Sequence, residues 1–200
     1  MAGISAVLLA AGESSRMGQP KALLPWRGQT LLEWQISSLA WAGVGETVVV
    51  LGHLAERVAP YVRGSPLLRS VVNHQYRKGK TTSIKAGVSN IDPSAEGVLI
   101  LGVDQPRPWE MLSQIIQAHL RKGTPITVPT YEGRRGHPPI FISALFPALM
   151  AISEKTLGLR QVMVDHGTEV NEVEADSAVV LLDLNSPRDY EEARKLFPAP

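Results

Sequence analysis

The stretch ISAVLLAAGESSRMGQPK, residues 4–21, joins a continuous apolar run to a small, polar and positively charged loop. The run stops at Gly12, and Arg16 and Lys21 follow soon after it. An apolar run without polar alternation is typical of a strand in a parallel sheet, with helices covering both of its faces. In such sheets, ligands bind beyond the carboxyl ends of the strands. The stretch therefore predicts a buried strand whose following loop lies at the ligand-binding edge of a sheet.

Similar short apolar runs recur along the chain and alternate with helical patterns. We predict further strands at residues 46–52, 70–73, 97–104, 125–130 and 178–184. We predict helices at residues 30–43, 53–62, 82–91, 108–123, 143–151 and 186–197. Ser186 is typical of an N-cap with Pro187 at the first helical position, and Gly123 marks a helix end. The alternation predicts the α/β class, as a Rossmann-like three-layer α/β/α sandwich with a mostly parallel sheet.

Length and composition limit the possible classes of function. The 200 residues suit one domain over residues 1–200, in which the less regular segment 129–177 is expected to insert extra strands. The net charge of +1 gives no long-range field for nucleic acid or an acidic membrane surface. The absence of cysteine excludes disulfides, thiolate metal sites and a cysteine nucleophile. Without a secretory signal or an apolar run long enough to span a bilayer, we expect a cytoplasmic protein.

The loop after the first predicted strand has the composition of a phosphate-binding loop. Gly12 permits close approach of a ligand to the backbone, and Ser14 and Ser15 offer hydroxyl and N–H groups. Arg16 can grip phosphate oxygens with two N–H groups, whereas Lys21 supplies a point charge. The alternative interpretation is a surface turn whose cations are only solvated. Composition alone does not distinguish a phosphate-binding loop from such a surface turn.

Two better-known nucleotide loops do not match. The segment has one glycine followed by Glu-Ser-Ser-Arg, so it lacks the G-x-G-x-x-G pattern of dinucleotide-binding loops. The sequence GKTT at residues 79–82 is half of a Walker loop, but His74 stands where its first glycine belongs. A P-loop ATPase remains an alternative on this half-motif.

One further segment carries a group that suits a divalent cation. The predicted strand 97–104 ends in Asp104. A carboxylate at the edge of a sheet is well placed to hold a metal ion against phosphate oxygens. The alternative role of Asp104 is an ordinary Asp-x-Pro turn.

The segment LAAGESSRMGQPKALLPW resembles the signature L-A-A/G-G-x-S/G-x-R-M-G-x-x-K of the MobA-like NTP transferase family, which includes the molybdenum-cofactor cytidylyl- and guanylyltransferases. The resemblance implies a fold of the nucleotide-diphospho-sugar transferase type. It also implies that this loop wraps the triphosphate of a nucleotide. The implied nucleotide-binding residues of the segment are Leu9, Ala10, Ala11, Gly12, Ser14, Ser15, Arg16 and Lys21.

Other segments match the same family in the same order. VVNHQYRKGKTTSIKAG implies that Asn73 and Ser83 lie near the base and ribose, although Ser83 could instead cap the helix. GRRGHPPIF and LGLR imply acceptor-binding roles for His137 and Arg160, where a packed histidine is the alternative. Lys155 and Thr156 replace the Gly-Asp pair typical of the family, which leaves the acceptor open.

The segment LLDLNSPRD, with Asp183 and Asn185, matches the family's D-x-D/N-T/S-P-x-D segment, and Asn185 could instead support a helix start. The resemblance implies Mg²⁺ held by Asp104 and Asn185. The implied catalytic residues are Arg16, Lys21 and Asp104.

The implied reaction transfers a nucleoside monophosphate from an NTP to a phosphorylated acceptor and releases pyrophosphate. Ala11 is typical of the cytidylyl branch, so CTP is the expected nucleotide and molybdopterin the expected acceptor. A molybdoenzyme or chaperone is a possible partner, and nucleic acid is not expected. Two alternatives stay open beside the P-loop ATPase. One is a sugar-phosphate nucleotidyltransferase, and the other is a non-catalytic relative that binds nucleotide or delivers cofactor.

Overall fold

The computed structural model describes residues 3–197, which form a mostly parallel sheet with helices on both faces. The strands are β1 (Ile4–Ala10), β2 (Pro25–Trp26), β3 (Gln29–Thr30), β4 (Glu46–Leu51), β5 (Leu68–Val72), β6 (Gly97–Gly102), β7 (Ile126–Tyr131), β8 (Arg134–Arg135), β9 (Ile140–Ile142) and β10 (Val170–Glu174). The main sheet has the order β10-β7-β9-β6-β1-β4-β5, with β8 paired to β7, while β2 and β3 form a separate hairpin.

The strands β5, β4, β1 and β6 run parallel to one another, and β1 lies between β4 and β6. Every residue of β1 is buried, as the continuous apolar run predicts. Since the carboxyl ends of these strands meet at one edge, the loops after β1, β4 and β6 are brought together. This edge is where the polar loop and Asp104 lie.

The segment 129–177 contributes to the sheet itself. Strand β9 lies between β6 and β7 and is antiparallel to both, which makes the sheet mixed. Strand β10 continues the parallel direction on the far side of β7. The expected extra strands are therefore present, and one of them lies inside the sheet.

The helices are α1 (Leu31–Trp41), α2 (Ala55–Val58), α3 (Lys80–Val88), α4 (Trp109–Lys122), α5 (Phe146–Ala151), α6 (Leu159–Asp165) and α7 (Pro187–Leu196). One apolar cluster packs α1, α4 and α7 on one face of the sheet, and a second packs α3, α5 and α6 on the other. Two cores separated by one sheet confirm the predicted three-layer α/β/α sandwich. No described helix is both long and apolar enough to cross a membrane.

Local sequence signals fix several helix ends. Thr30 and Glu33 form a capping box at α1, and Ser186 and Asp189 form one at α7, each satisfying N–H groups that a helix start leaves free. Gly123 ends α4 in the left-handed conformation, with φ of +63°. The predicted roles of Ser186 and Gly123 are confirmed.

One predicted strand is wrong. Residues 178–184 do not join the sheet; Ala178–Leu181 form a short 3-10 turn that begins at Ser177. The position beside β6 is already taken by β9. The carbonyl groups of Val180 and Leu182 accept hydrogen bonds from the Arg107 side chain instead of from a neighbouring strand. An apolar run buried by a loop contact has the same sequence pattern as a buried strand.

From the sequence we expect all four tryptophans, at positions 26, 34, 41 and 109, to pack helices onto the sheet, and for two of them this expectation is wrong. Trp26 and Trp34 are buried and contact each other edge to face. Trp41 and Trp109 are 67% and 41% exposed. They are the last residue of α1 and the first of α4, so they lie beyond the part of each helix that faces the sheet.

Candidate functional site

A cleft at the carboxyl edge of the sheet has two arms that share Leu9, Gly12 and Asp104. The other residues of the first arm are Ala10, Ser14, Ser15, Arg16, Pro20, Lys21, Ala22, His53, Val103 and Asn185. The other residues of the second arm are Ala11, Tyr76, Lys80, Ser83 and Gly102. The cleft thus brings together all the residues predicted to bind phosphates, both predicted metal ligands and Ser83.

Hydrogen bonds within the polar loop of residues 12–21 place its two cations in the same arm of the cleft. Ser14 has a left-handed backbone with φ of +52°, and its carbonyl accepts from the N–H of Met17. The Ser14 hydroxyl accepts from the backbone N–H of Lys21 at 3.1 Å. These contacts close the loop and place Arg16 and Lys21 in the same arm of the cleft.

Lys21 and Asp104 form an ion pair across the first arm, with 2.8 Å between Nζ and Oδ2. The Lys21 side chain is 12% exposed and that of Asp104 is 32% exposed. A partly buried pair is screened less by water than a surface pair, so each group holds the other in place. The pair links the loop after β1 to the turn after β6.

Two buried glutamines, Gln35 and Gln105, form hydrogen bonds with the turn that carries Asp104. Gln35 on α1 is fully buried and donates to the carbonyl groups of Gly102 at 3.2 Å and Gln105 at 2.8 Å. The Gln105 side chain accepts from the N–H of Gly102 at 2.9 Å and donates to Asp183 Oδ1 at 2.8 Å. These buried hydrogen bonds therefore fix the backbone of the turn that carries Asp104.

Arg107 is a fully buried cation behind the cleft. Its guanidinium donates to the carbonyl groups of Pro106, His137, Val180 and Leu182, at 2.9 to 3.0 Å. Burial lowers the pKa of Arg107 to about 10, against the opposing effect of the Asp183 and Asp104 carboxylates. One side chain thus joins the turn of Asp104 to the loops before β9 and before α7.

The predicted base-side residues pack against each other. Asn73 is buried; its amide donates to the hydroxyl groups of Thr82 and Ser83, each at 2.9 Å, and its carbonyl accepts from the N–H of Gln75. Both amide protons of Asn73 are therefore used within the protein. Ser83 lies inside α3, whose N-cap is Gly79, so the alternative role of Ser83 as a helix cap is wrong. Contact of either residue with a base or ribose stays a prediction.

The two predicted acceptor residues lie outside the lining of both arms. Arg160 is exposed on α6. His137 lies beside the cleft, and the charges of Lys80, Asp183, Arg107 and Asp104 all affect its pKa. Burial and then the Lys80 ammonium lower the pKa of His137 to about 4. The acceptor-binding roles of both residues stay predictions.

The low pKa of His137 predicts a pH dependence of stability. The unfolded chain protonates this histidine near pH 6.5, whereas the folded chain does so only near pH 4. Its contribution to stability is therefore fully present above pH 6.5 and is lost as the pH falls towards 4, by up to about 1.4 kcal/mol per pH unit. We expect His137→Asn to flatten the loss of melting temperature between pH 6.5 and 4.5.

His119→Asn is a second test of the same effect at a separate site. Burial also lowers the pKa of His119, which lies away from the cleft between α4 and β7 and contacts Thr127. Each single variant should remove part of the slope, and the double variant should remove more. Equal slopes for wild type and His137→Asn would contradict the assignment.

The cleft residues that the sequence interpretation missed as site residues include His53, Tyr76 and Lys80. His53 follows β4 at the same edge as Gly12, and its Nδ1 lies 3.3 Å from the Tyr76 hydroxyl. Lys80 begins α3 and lines the second arm. The signal that could have found His53 is its place at the end of a predicted strand, by the rule that pointed to Asp104.

The described residues hold no cluster of three or more metal-ligating His, Cys, Asp or Glu side chains. Asp104 and Asn185 do share the first arm with Arg16 and Lys21. Mg²⁺ is commonly bound by one or two protein oxygens, with the remaining ligands being water and substrate phosphates. The pair fits a metal that arrives with a nucleotide, rather than one held by a protein cage.

Known proteins have similar amino-acid sequences. The model of the MobA-like NTP transferase domain matches residues 6–170. The chain is similar to the molybdenum cofactor cytidylyltransferase of Escherichia coli, at 28% identity over 98% of both chains. It is also similar to the nicotine blue oxidoreductase of Paenarthrobacter nicotinovorans, at 34% identity over 78% of this chain and 79% of that one.

A solved structure extends the similarity to the whole fold. A Mycobacterium tuberculosis protein in complex with manganese superposes with a TM-score of 0.78, at 27% identity over 96% of this chain and 97% of that one. The fold is thus that of the nucleotide-diphospho-sugar transferases, as the resemblance implied. The chain belongs to the MobA-like NTP transferase family of nucleotidyltransferases.

Proposed function

We propose that the protein transfers CMP from CTP to a phosphorylated acceptor, molybdopterin, and releases pyrophosphate. The observation that carries the proposal is the first arm of the cleft. There the loop cations Arg16 and Lys21 and the carboxylate of Asp104 meet at the carboxyl edge of the sheet. Ala11 of the L-A-A-G segment and the similarity to a cytidylyltransferase favour CTP over other nucleotides.

The chemistry needs little from the protein beyond position and charge. A phosphate oxygen of the acceptor attacks the α-phosphorus of CTP, a phosphoanhydride bond forms, and the bond to the bridging oxygen of the β-phosphate breaks. Pyrophosphate leaves with the electron pair of that bond. A phosphate monoester already carries an anionic oxygen at neutral pH, so the step requires no general base.

Each part of the first arm has a role in this step. The N–H groups of residues 12–15 and the cations of Arg16 and Lys21 stabilise the charge that develops on the departing pyrophosphate. Mg²⁺, held by Asp104 and Asn185 when it is bound, would neutralise charge between the α-phosphate and the acceptor oxygen. Asn185 contributes no formal charge, so this metal site has one negative charge where a pair of aspartates would have two.

The test is release of pyrophosphate by the purified protein with Mg²⁺ and molybdopterin, with CTP, GTP, UTP and ATP compared in turn. We expect release that requires both CTP and molybdopterin. Release with a sugar phosphate in place of molybdopterin would favour the sugar-phosphate alternative. Tight CTP binding without release for any acceptor would favour a non-catalytic relative that delivers cofactor to a molybdoenzyme or chaperone.

A further inference from the structure

The motif GKTT has no role in the function proposed above. Lys80 of this motif is the first residue of α3, and Gly79 before it has a φ of +117°, which favours glycine. Lys80 lies in the second arm of the cleft, away from Arg16 and Lys21 in the first. The motif also lacks the first glycine of a Walker loop, where His74 stands, so it does not form such a loop.

Lys80 is the one cation among the residues that line the second arm. Its side chain is exposed to the cleft, and it forms no ion pair with any residue between 3 and 197. The lining contains Asp104, which the two arms share, and the positive charge of Lys80 contributes to the lowered pKa of His137. An ammonium group at this place is available to a ligand.

The chemistry of the second arm limits what that ligand can be. A nucleobase is neutral and needs no cation, and the second arm offers it the uncharged side chains of Tyr76, Ser83 and Ala11. The acceptor, in contrast, must bring an anionic oxygen to the α-phosphorus beside Asp104. The negative charges of this oxygen and of the triphosphate repel each other. A cation on the acceptor side is therefore needed to bring the two groups together.

We propose that Lys80 binds the anionic nucleophile group of the acceptor, a phosphate monoester, and so orients it towards the α-phosphorus. This inference rests on the proposed nucleotidyl transfer. It assigns the two arms different cations, with Arg16 and Lys21 for the nucleotide and Lys80 for the acceptor.

The test is an equilibrium titration that needs no turnover. Phenyl phosphate serves as the monoester probe and is titrated by NMR into protein saturated with Mg²⁺ and an α,β-methylene analogue of CTP. We expect Lys80→Met to weaken binding of phenyl phosphate about tenfold or more, and Lys80→Arg to restore most of it. Lys78→Met is the matched control, since Lys78 is an exposed neighbour that contacts Gln75 and does not line the cleft.

Three results would overturn the inference. The first is equal affinity of wild type and Lys80→Met for phenyl phosphate. The second is a wild type that does not bind the probe. The third is a loss confined to the CTP analogue, which would assign Lys80 to the nucleotide. A tenfold loss together with no turnover of molybdopterin would leave Lys80 as an acceptor ligand and reject molybdopterin as the acceptor.

Discussion

We expect the Asp104→Asn variant to release pyrophosphate about 1000-fold more slowly than wild type, with little change in melting temperature. The change removes the only carboxylate among the two proposed metal ligands, and with it the negative charge that would hold Mg²⁺ beside the phosphates. Asparagine keeps an oxygen that can accept from Lys21 Nζ, which lies 2.8 Å from Asp104 Oδ2. The buried support by Gln35 and Gln105 does not involve the Asp104 side chain.

A second variant tests the position of the carboxylate without removing it. A Cβ added at Gly102 would lie 2.5 Å from Asp104 Oδ1 and 3.2 Å from Gln105 Oε1. Gly102→Ala should therefore displace the Asp104 carboxylate and slow release, though less than Asp104→Asn. Turnover of Asp104→Asn within a few-fold of wild type would reject Asp104 as a metal ligand.

The largest effect on stability is expected for Arg107→Met. The change removes the guanidinium that donates to four buried or half-buried carbonyl groups, those of Pro106, His137, Val180 and Leu182. Within residues 3–197, only the Val180 carbonyl keeps a second backbone donor, the N–H of His137 at 2.9 Å. An unsatisfied buried carbonyl costs free energy, and methionine recovers part of it because it no longer buries a cation. We expect a loss of about 3 kcal/mol in the free energy of unfolding and a melting temperature about 10 °C lower.

Arg135→Met is the matched control for this measurement. Arg135 forms an ion pair with Glu172 in which both side chains are more than 40% exposed, at 41% and 48%. A surface pair contributes at most about 1 kcal/mol, so its loss should change the melting temperature by only a few degrees. An Arg107→Met variant that melts within the same few degrees of wild type would show that the three loops are held together by other contacts.

The parts of the fold that could be predicted are those with a strong local pattern. The continuous apolar runs of β1, β4 and β6 and the capping residues Thr30 and Ser186 each depend on neighbours in the sequence. The place of β9 could not be predicted, because three residues carry too short a pattern and their pairing with β6 depends on distant contacts.

Some residues of the candidate site could likewise be predicted from the sequence, and others could not. The loop of residues 12–21 and Asp104 could be predicted to meet, since both follow strands of one parallel sheet. Arg107 could not be identified as buried, because the turn Asp-Gln-Pro-Arg has the composition of an exposed loop. The carbonyl groups that satisfy Arg107 come from loops 30 to 75 residues away along the chain, as well as from its neighbour Pro106.

The central claim is that the first arm binds the triphosphate of CTP, and calorimetric titration with nucleotide and Mg²⁺ tests it most directly. We expect wild type to bind CTP more tightly than GTP, UTP or ATP. Lys21→Met should weaken CTP binding at least about tenfold, whereas Lys122→Met, at the far end of α4, should not. Absence of binding for every triphosphate, or equal CTP affinity of wild type and Lys21→Met, would contradict the claim.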